Sequence, residues 1–403
     1  MGSLRFVTAG ESHGPELTGI LEGMPAGVEV TVEEIEADLE RRMMGYGRGA
    51  RMKIETDRVK IKSGVRAGST LGSPITLTIE NKDWENWIDI MDSAPDIEPN
   101  PRRRRVVRPR PGHADLTGSM KYDFLDARNV LERASARETA VRVAVGAVCR
   151  KFLGLFGIEI GSHIVAIGSV KAQSILDLPV GLNESADRSE VRCLDDDASK
   201  RMIEEIDRAK SNGDTLGGVA EIVVRGAMIG LGSHVSWDRK LDARLAQALM
   251  SIPAVKGVEI GMGFEAAYKL GSETHDEMLP GGTPHTGGVI RPTNRAGGLE
   301  GGITNGMPIV LRAAMKPIAT LMKPLKTVNF ETGEPANAQS ERSDVTAVPA
   351  MGVIAEAMAA IVVANAVLEK FGADTTKDIL KAVDGYLRRI EERWESAGQT
   401  SDT

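Results

Sequence analysis

Apolar and polar positions along the 403-residue chain follow two periods. Short alternating or apolar runs predict strands at 4–9, 59–63, 75–79, 158–170, 219–228 and 307–315. Helical spacing predicts helices at 31–43, 136–156, 199–211, 240–251 and 348–371. Thr31 and Glu34 form a capping box at the start of the first, and Gly157 closes the second. The 348–371 helix carries Pro349 near its first turn and Gly372 after its end. It is apolar nearly all round, broken mainly by Glu356, Asn365 and Glu369, which predicts burial between layers. Strands and helices mix without strict βαβ alternation, so the expected class is a layered α+β body. The polar stretches 83–101 and 183–199, the second carrying Asp195, Asp196 and Asp197, read as loose excursions from one body. A single domain over 1–395 with a flexible tail at 396–403 is the expected organisation.

Composition narrows the function classes. A chain this long buries a large core. Its 44 glycines stand against only 7 Phe, 4 Tyr and 4 Trp, so aliphatic side chains must fill that core. Two cysteines, Cys149 and Cys193, without Cys/His spacing argue against a disulfide framework or a structural metal. No apolar run is read as approaching the ~18 residues of a membrane span, and the first residues show no leader pattern. A soluble, cytoplasmic protein is expected, with no membrane partner. The net charge of -7 argues against whole-surface nucleic-acid binding. Basic residues are nonetheless clustered at 102–110 and 41–51.

Six short motifs carry chemistry, each with a plainer alternative. Gly10-Glu11-Ser12-His13-Gly14 follows a strand and can present a hydroxyl and an imidazole at a cleft, or be an exposed turn. Arg108 to Asp115 (RPRPGHAD) sets His113 on a proline-stiffened loop beside cations that attract an anion. The basic run at 102–110 can equally be a solvated patch. Glu132 to Thr139 (ERASARET) begins a helix, where backbone N–H groups with Arg133 and Arg137 suit an anion, and Ser135 suits a cap. Arg41 to Arg51 interleaves four arginines with three glycines, a cationic loop for phosphate or carboxylate. Lys316 to Leu321 (KPIATL) follows a strand. Arg342 to Pro349 (RSDVTAVP) precedes the apolar helix, with Asp344 either a cap or a carboxylate aimed into a cleft. Gly261 to Ala266 fits the loose nicotinamide fingerprint but lacks a βαβ context, since 264–270 alternates like a strand. No phosphate-binding loop of the Walker type occurs.

Together GESHG, RRMMGYGRGAR, RPGHAD, ERASARETA, KPIATL and RSDVTAVPA resemble the chorismate synthase family, in its order and from Gly10 to Pro349. The resemblance implies a β-α-β sandwich, helices packed between antiparallel sheets, assembled as a homotetramer. It implies 1,4-elimination of phosphate from 5-enolpyruvylshikimate 3-phosphate to give chorismate, the last common step towards the aromatic amino acids. Reduced FMN is required with no net redox change, and NADPH or an external flavin reductase supplies the reducing equivalents. By the same resemblance His13 protonates the leaving phosphate, with Ser12 and Ser135 as proton relays. His113 faces the flavin, and Asp344 assists loss of the ring proton. The substrate's anionic groups suit Arg42, Arg48, Arg51, Arg110 and Arg137. FMN contacts fall at Arg133, Ala134, Ser135, Pro253, Ala254 and Gly301, along Lys316, Pro317, Ile318, Ala319 and Thr320, and at Arg342. No nucleic acid and no metal are expected.

Overall fold

The computed structural model describes residues 4–49, 56–94, 105–175, 177–339 and 344–399. Two antiparallel sheets face each other across a layer of helices. The first has four strands, β1 (Arg5–Ala9), β2 (Glu16–Glu22), β3 (Val59–Ser63) and β4 (Ile75–Glu80), in the order β1-β2-β4-β3. In β4, alternation puts Ile75, Leu77 and Ile79 fully inside. The second sheet has five strands: β5 (Glu159–Ile167), β6 (Val170–Lys171), β7 (Gly218–Arg225), β8 (Val255–Ile260) and β9 (Ile309–Met315), in the order β8-β9-β7-β5-β6. Every pairing in both sheets is antiparallel. This is an α+β fold of the expected class.

The longer helices are α1 (Val32–Met43), α2 (Asp115–Tyr122), α3 (Thr139–Gly154), α4 (Asp196–Ser211), α5 (Leu241–Met250), α6 (Val348–Phe371) and α7 (Thr376–Gln399). The Thr31–Glu34 capping box is present at α1. A 3-10 turn at Ala136–Glu138, capped by the Ser135 hydroxyl, precedes α3. Helix α3 lies on the first sheet, where Val141 and Val145 cover Gly19 of β2. Helix α6 lies between α3 and the second sheet, on β5 and β7. The α3–α6 crossing is close. A Cβ on Gly146 would stand 2.4 Å from Ala357 Cβ and 2.6 Å from its Cα.

Several expectations need correction. Segment 264–270 is not strand-like: after antiparallel β8 comes a 3-10 turn at Gly263–Tyr268, so the Gly261–Ala266 fingerprint has no crossover helix. Segment 183–199 is not loose, since Arg192 and Asn183 bind into the core and Asp195 caps α4. Helix α7 continues to Gln399, so of the expected tail only 400–403 lie outside the described residues. By length and apolarity α6 does reach membrane-spanning dimensions, with 89% of its apolar window buried inside the protein.

The helical layer holds a fully buried carboxylate. Glu356 of α6 has no exposure. Arg41 binds it with two N–H groups at 2.8 and 2.9 Å, Arg150 at 3.0 Å and Arg192 at 3.2 Å. Ser162 of β5 donates at 2.6 Å and Asn183 at 3.2 Å. Asp38 and Asp187 share these arginines, Asp38 bridging Arg41 and Arg150, Asp187 bridging Arg41 and Arg192. Burial pushes the Glu356 carboxyl up, but Arg41, Arg192 and Arg150 outweigh it and hold the group at about 2.

Glu356→Gln should lower the unfolding free energy by about 3–5 kcal/mol in urea titrations, because three arginines lose their shared anion in a water-free site. The native carboxyl is depressed, so its stabilisation is complete above the ordinary value of 4.5 and is lost as pH falls through about 2. Urea titrations of the variant should show a flatter acid limb over that window. Gly146→Val should cost several kcal/mol through the clash with the α6 backbone. Gly154→Ala, with open space around its Cβ, should raise stability by up to about 1 kcal/mol.

Candidate active site

The turn between β1 and β2 carries the first component. Ser12 is buried and its N–H donates to the Glu132 carbonyl at 3.0 Å. The buried Glu132 carboxylate accepts the His13 backbone N–H at 3.1 Å and lies 2.7 Å from Nδ1 of the same residue. Asn81 closes the turn, donating to the carbonyls of Glu11 and Gly14 at 3.2 and 2.8 Å.

The second component is a pair of buried arginines that share Asp57. Arg42 reaches Asp57 at 3.2 Å and the Thr139 hydroxyl at 2.9 Å, and donates to the Ala136 carbonyl at 3.0 Å. Arg137 pairs with the other Asp57 oxygen and donates to Asn81 at 2.9 Å, which ties the arginines to the His13 turn. Two cations thus share one carboxylate. Burial pushes Arg42 down to about 10; Arg48 and Arg137 add to that push, against the pull of Asp57 and Asp344. Ser135 serves as a cap, its hydroxyl accepting from the Arg137 N–H at 3.3 Å.

The third component is the glycine loop after α1, which lies on the head of α6. Gly47 has φ +86°, and a Cβ there would stand 2.9 Å from Ile206, so only glycine fits. Val345 N–H donates to the Gly47 carbonyl at 2.8 Å. Asp344 accepts from the Gly49 N–H at 2.5 Å and lies 3.3 Å from Arg48 Nε. Asp344 is therefore not the α6 cap, because Ala347 holds that position. Arg48, Asp344 and Thr320 line one cavity of about 1130 Å³.

The fourth component is the His113 loop. Asp115, fully buried, lies 2.5 Å from His113 Nδ1 and takes the Arg110 side chain at 2.8 and 3.1 Å. Burial raises this carboxyl, but His113 and Arg110 outweigh it and hold it well below the usual carboxylate range. Arg110 also donates to the Thr320 hydroxyl at 3.0 Å. A Cβ on Gly112 would stand 3.6 Å from Lys316 Nζ. Lys316 N–H in turn donates to the carbonyl of Ala254, which sits at φ +68° beside Pro253. Burial lowers the Lys316 ammonium, and Lys256 lowers it further.

These contacts join Ser12, His13, Arg42, Arg48, Arg110, His113, Ser135, Arg137, Asp344 and the Lys316–Thr320 run into one arc. Arg133 lies alongside but spends its donors on the Gly10 and Thr8 carbonyls at the end of β1. Gly301 is not drawn in: its hairpin, β-paired over Leu299–Glu300 and Ile303–Thr304, rests on the start of α5. Arg51 and Arg342 lie outside the described residues. Sequence reasoning assigned no role to Glu132, Asp115, Asp57 or Asn81. Asp115 lies two positions after His113 inside a quoted motif and could have been found there, whereas Glu132 lies in a quoted motif 119 positions from His13 and only the fold pairs them. Asp57 and Asn81 carry no local signal.

This is an α+β scaffold whose site concentrates guanidinium, ammonium and imidazole groups for a small, multiply anionic ligand. A family model described as "Chorismate synthase" matches residues 4–368. Chorismate synthase of Geobacter sulfurreducens is 54% identical over 395 residues, spanning 96% of this chain and 99% of that protein. The Bacillus velezensis enzyme is 55% identical over 396 residues, spanning 96% and 100%. A crystal structure of chorismate synthase superimposes with a TM-score of 0.77 at 43% identity, spanning 97% of this chain and 99% of that one. The chain belongs to the chorismate synthase family, whose members are lyases.

The depressed Arg42 and Lys316 predict that anions relieve like-charge stress at the site. Inorganic phosphate or pyrophosphate should raise the thermal midpoint more than chloride at equal ionic strength. Saturation at about a hundred times Kd corresponds to ~2.7 kcal/mol. Lys316→Met and Arg137→Met should each reduce the increment in differential scanning fluorimetry.

Proposed function

We propose that the chain converts 5-enolpyruvylshikimate 3-phosphate to chorismate and inorganic phosphate, with reduced FMN as cofactor. The observation that carries this reading is the arc of paired cations around two histidines, each backed by a buried carboxylate. In this 1,4-elimination the carbon–oxygen bond to phosphate breaks, a ring hydrogen is lost and a new double bond forms.

Arg42, Arg48, Arg110 and Arg137, with Arg51, receive the substrate's phosphate and carboxylates. Arg42, Arg48, Arg110 and Arg137 are already paired with Asp57, Asp344, Asp115 and Thr139, so they are oriented before the ligand arrives. His13 protonates the departing phosphate, and Ser12 and Ser135 relay protons. Asp344 faces the shared cavity and assists removal of the ring proton.

The residues present fit FMN. Gly112, Ala254 and Ala319 allow close approach of a planar ring, and Lys316 is an under-compensated cation for its phosphate. Arg133, Ala134, Ser135, Pro253, Pro317, Ile318, Thr320 and Arg342 complete the proposed contact set, with His113 at the ring edge. The chemistry this cofactor supplies when bound is a transient loan of an electron to the substrate, returned by the end of the cycle.

The reading extends to residues 1–395 as one catalytic unit, a cytoplasmic setting and a homotetramer. Exposed Phe264, Tyr268, Leu270 and Trp237 supply apolar surface that a second copy would cover. Light scattering of the purified protein should then give four times the 43.2 kDa chain mass.

The deciding experiment is an anaerobic assay with chemically reduced FMN, run beside oxidised FMN with NADPH. Chorismate should form in the first arm. Product in the second arm identifies intrinsic flavin reduction, and none identifies dependence on an external reductase. No chorismate in either arm rejects the assignment. His13→Ala and His113→Ala should each lower kcat by about 10²-fold or more.

A further inference from the structure

Two distant segments converge on His13. Glu132 contacts both the backbone N–H and Nδ1 of this residue, through the same oxygen. The Trp87 indole stacks on the imidazole with centroids 3.9 Å apart and planes 24° from parallel. Arg128 serves both supports, lying 5.3 Å over the Trp87 ring and 3.4 Å from the second Glu132 oxygen. The indole is itself fixed, because Trp87 Nε1 donates to Asp83 at 2.8 Å.

We propose that Glu132 and Trp87 are positioning residues for His13: Glu132 keeps one proton on Nδ1, and Trp87 holds the ring plane, so that Nε2 is the atom that takes up the second proton and, from the imidazolium, gives it to the leaving phosphate. The proposal rests on the reading of His13 as proton donor to the leaving phosphate. A carboxylate paired with arginine accepts hydrogen bonds and donates none, so the proton must sit on Nδ1. Among the described residues no partner occurs at Nε2, and the His13 side chain retains 16% exposure. Stacking against an indole hinders the ring flip that would put Cδ2 in the place of Nδ1 and Cε1 in the place of Nε2. Both groups act through His13, so neither is assigned contact with substrate.

The test is nitrogen-15 NMR of histidine-labelled, ligand-free protein, at a pH where the imidazole is neutral. Only six histidines contribute, and the signal absent from H13A identifies His13. Wild type should show Nδ1–H with an unprotonated Nε2. Glu132→Ala should shift population to Nε2–H and lower kcat by ~10-fold or more with little change in KM. Glu132→Gln, whose amide oxygen still accepts, should keep the tautomer and recover most of kcat. Trp87→Ala should remove the ring-current shift on His13 and lower kcat, and Trp87→Phe should restore both. A wild-type His13 protonated at Nε2 overturns the proposal, whatever the variants do. So does Glu132→Ala with an unchanged His13 tautomer. The spectra need no turnover, so an inactive wild type with the expected tautomer rejects the function and leaves the positioning intact. An active wild type with the wrong tautomer does the reverse.

Discussion

One carboxylate without solvent, Glu356, sets the geometry from which the site is built. It sits in the most apolar helix of the chain, where an unpaired charge would be prohibitive. Arg41, Arg150 and Arg192 repay that cost by converging from α1, α3 and the segment before α4. The ion cluster thereby fixes the last turn of α1 against α6. Arg42, one position further on, projects to a different side and meets Asp57 and Thr139. The glycine loop starts from that anchored turn and lies back on the head of α6, where Asp344 takes the Gly49 N–H. A slip of α1 along α6 would move Arg42, Arg48 and Asp344 together. Such a pair or cluster contributes little net stability compared with an apolar substitute, so its value here is registry.

Inside the site the same economy recurs at smaller scale. Arg42, Arg48, Arg110 and Arg137 each have a protein carboxylate, and His13 and His113 each have one at Nδ1. The pairing orients donors before any ligand is bound, which removes reorganisation from the reaction itself. Yet the pairing is incomplete. Arg42 and Lys316 both sit below their ordinary values, burial being the largest cause and neighbouring cations the next. A polyanion would supply the missing charge, as the proposed substrate and cofactor do.

Much of the local structure was legible. The capping box at Thr31 and the bounds of α6 were readable because both depend on nearby residues. Helix α7 also carries a legible signal, since Ile379, Val383 and Leu387 recur at i, i+4 and i+8. The segment 183–199 looked loose because its polar residues read as solvated. In the fold they are the partners of a buried charge, and nothing local distinguishes the two cases. Asp57 is the sharpest example: one acid in a polar stretch, given meaning only by arginines 15 and 80 positions away.

The sequence by itself determined most of the element types, the layered α+β class and the family, since propensity, capping and motif order are properties of neighbouring residues. It also placed the candidate arginines and histidines on their loops. The tertiary structure alone decided which carboxylate each cation answers to, and that Glu356 is an anchor. It decided too that Gly301 stands apart from the arc its motif neighbours form. The physical reason is that electrostatic partnership depends on distance and burial across the packed layers, and these exist only once the two sheets have closed on the helices.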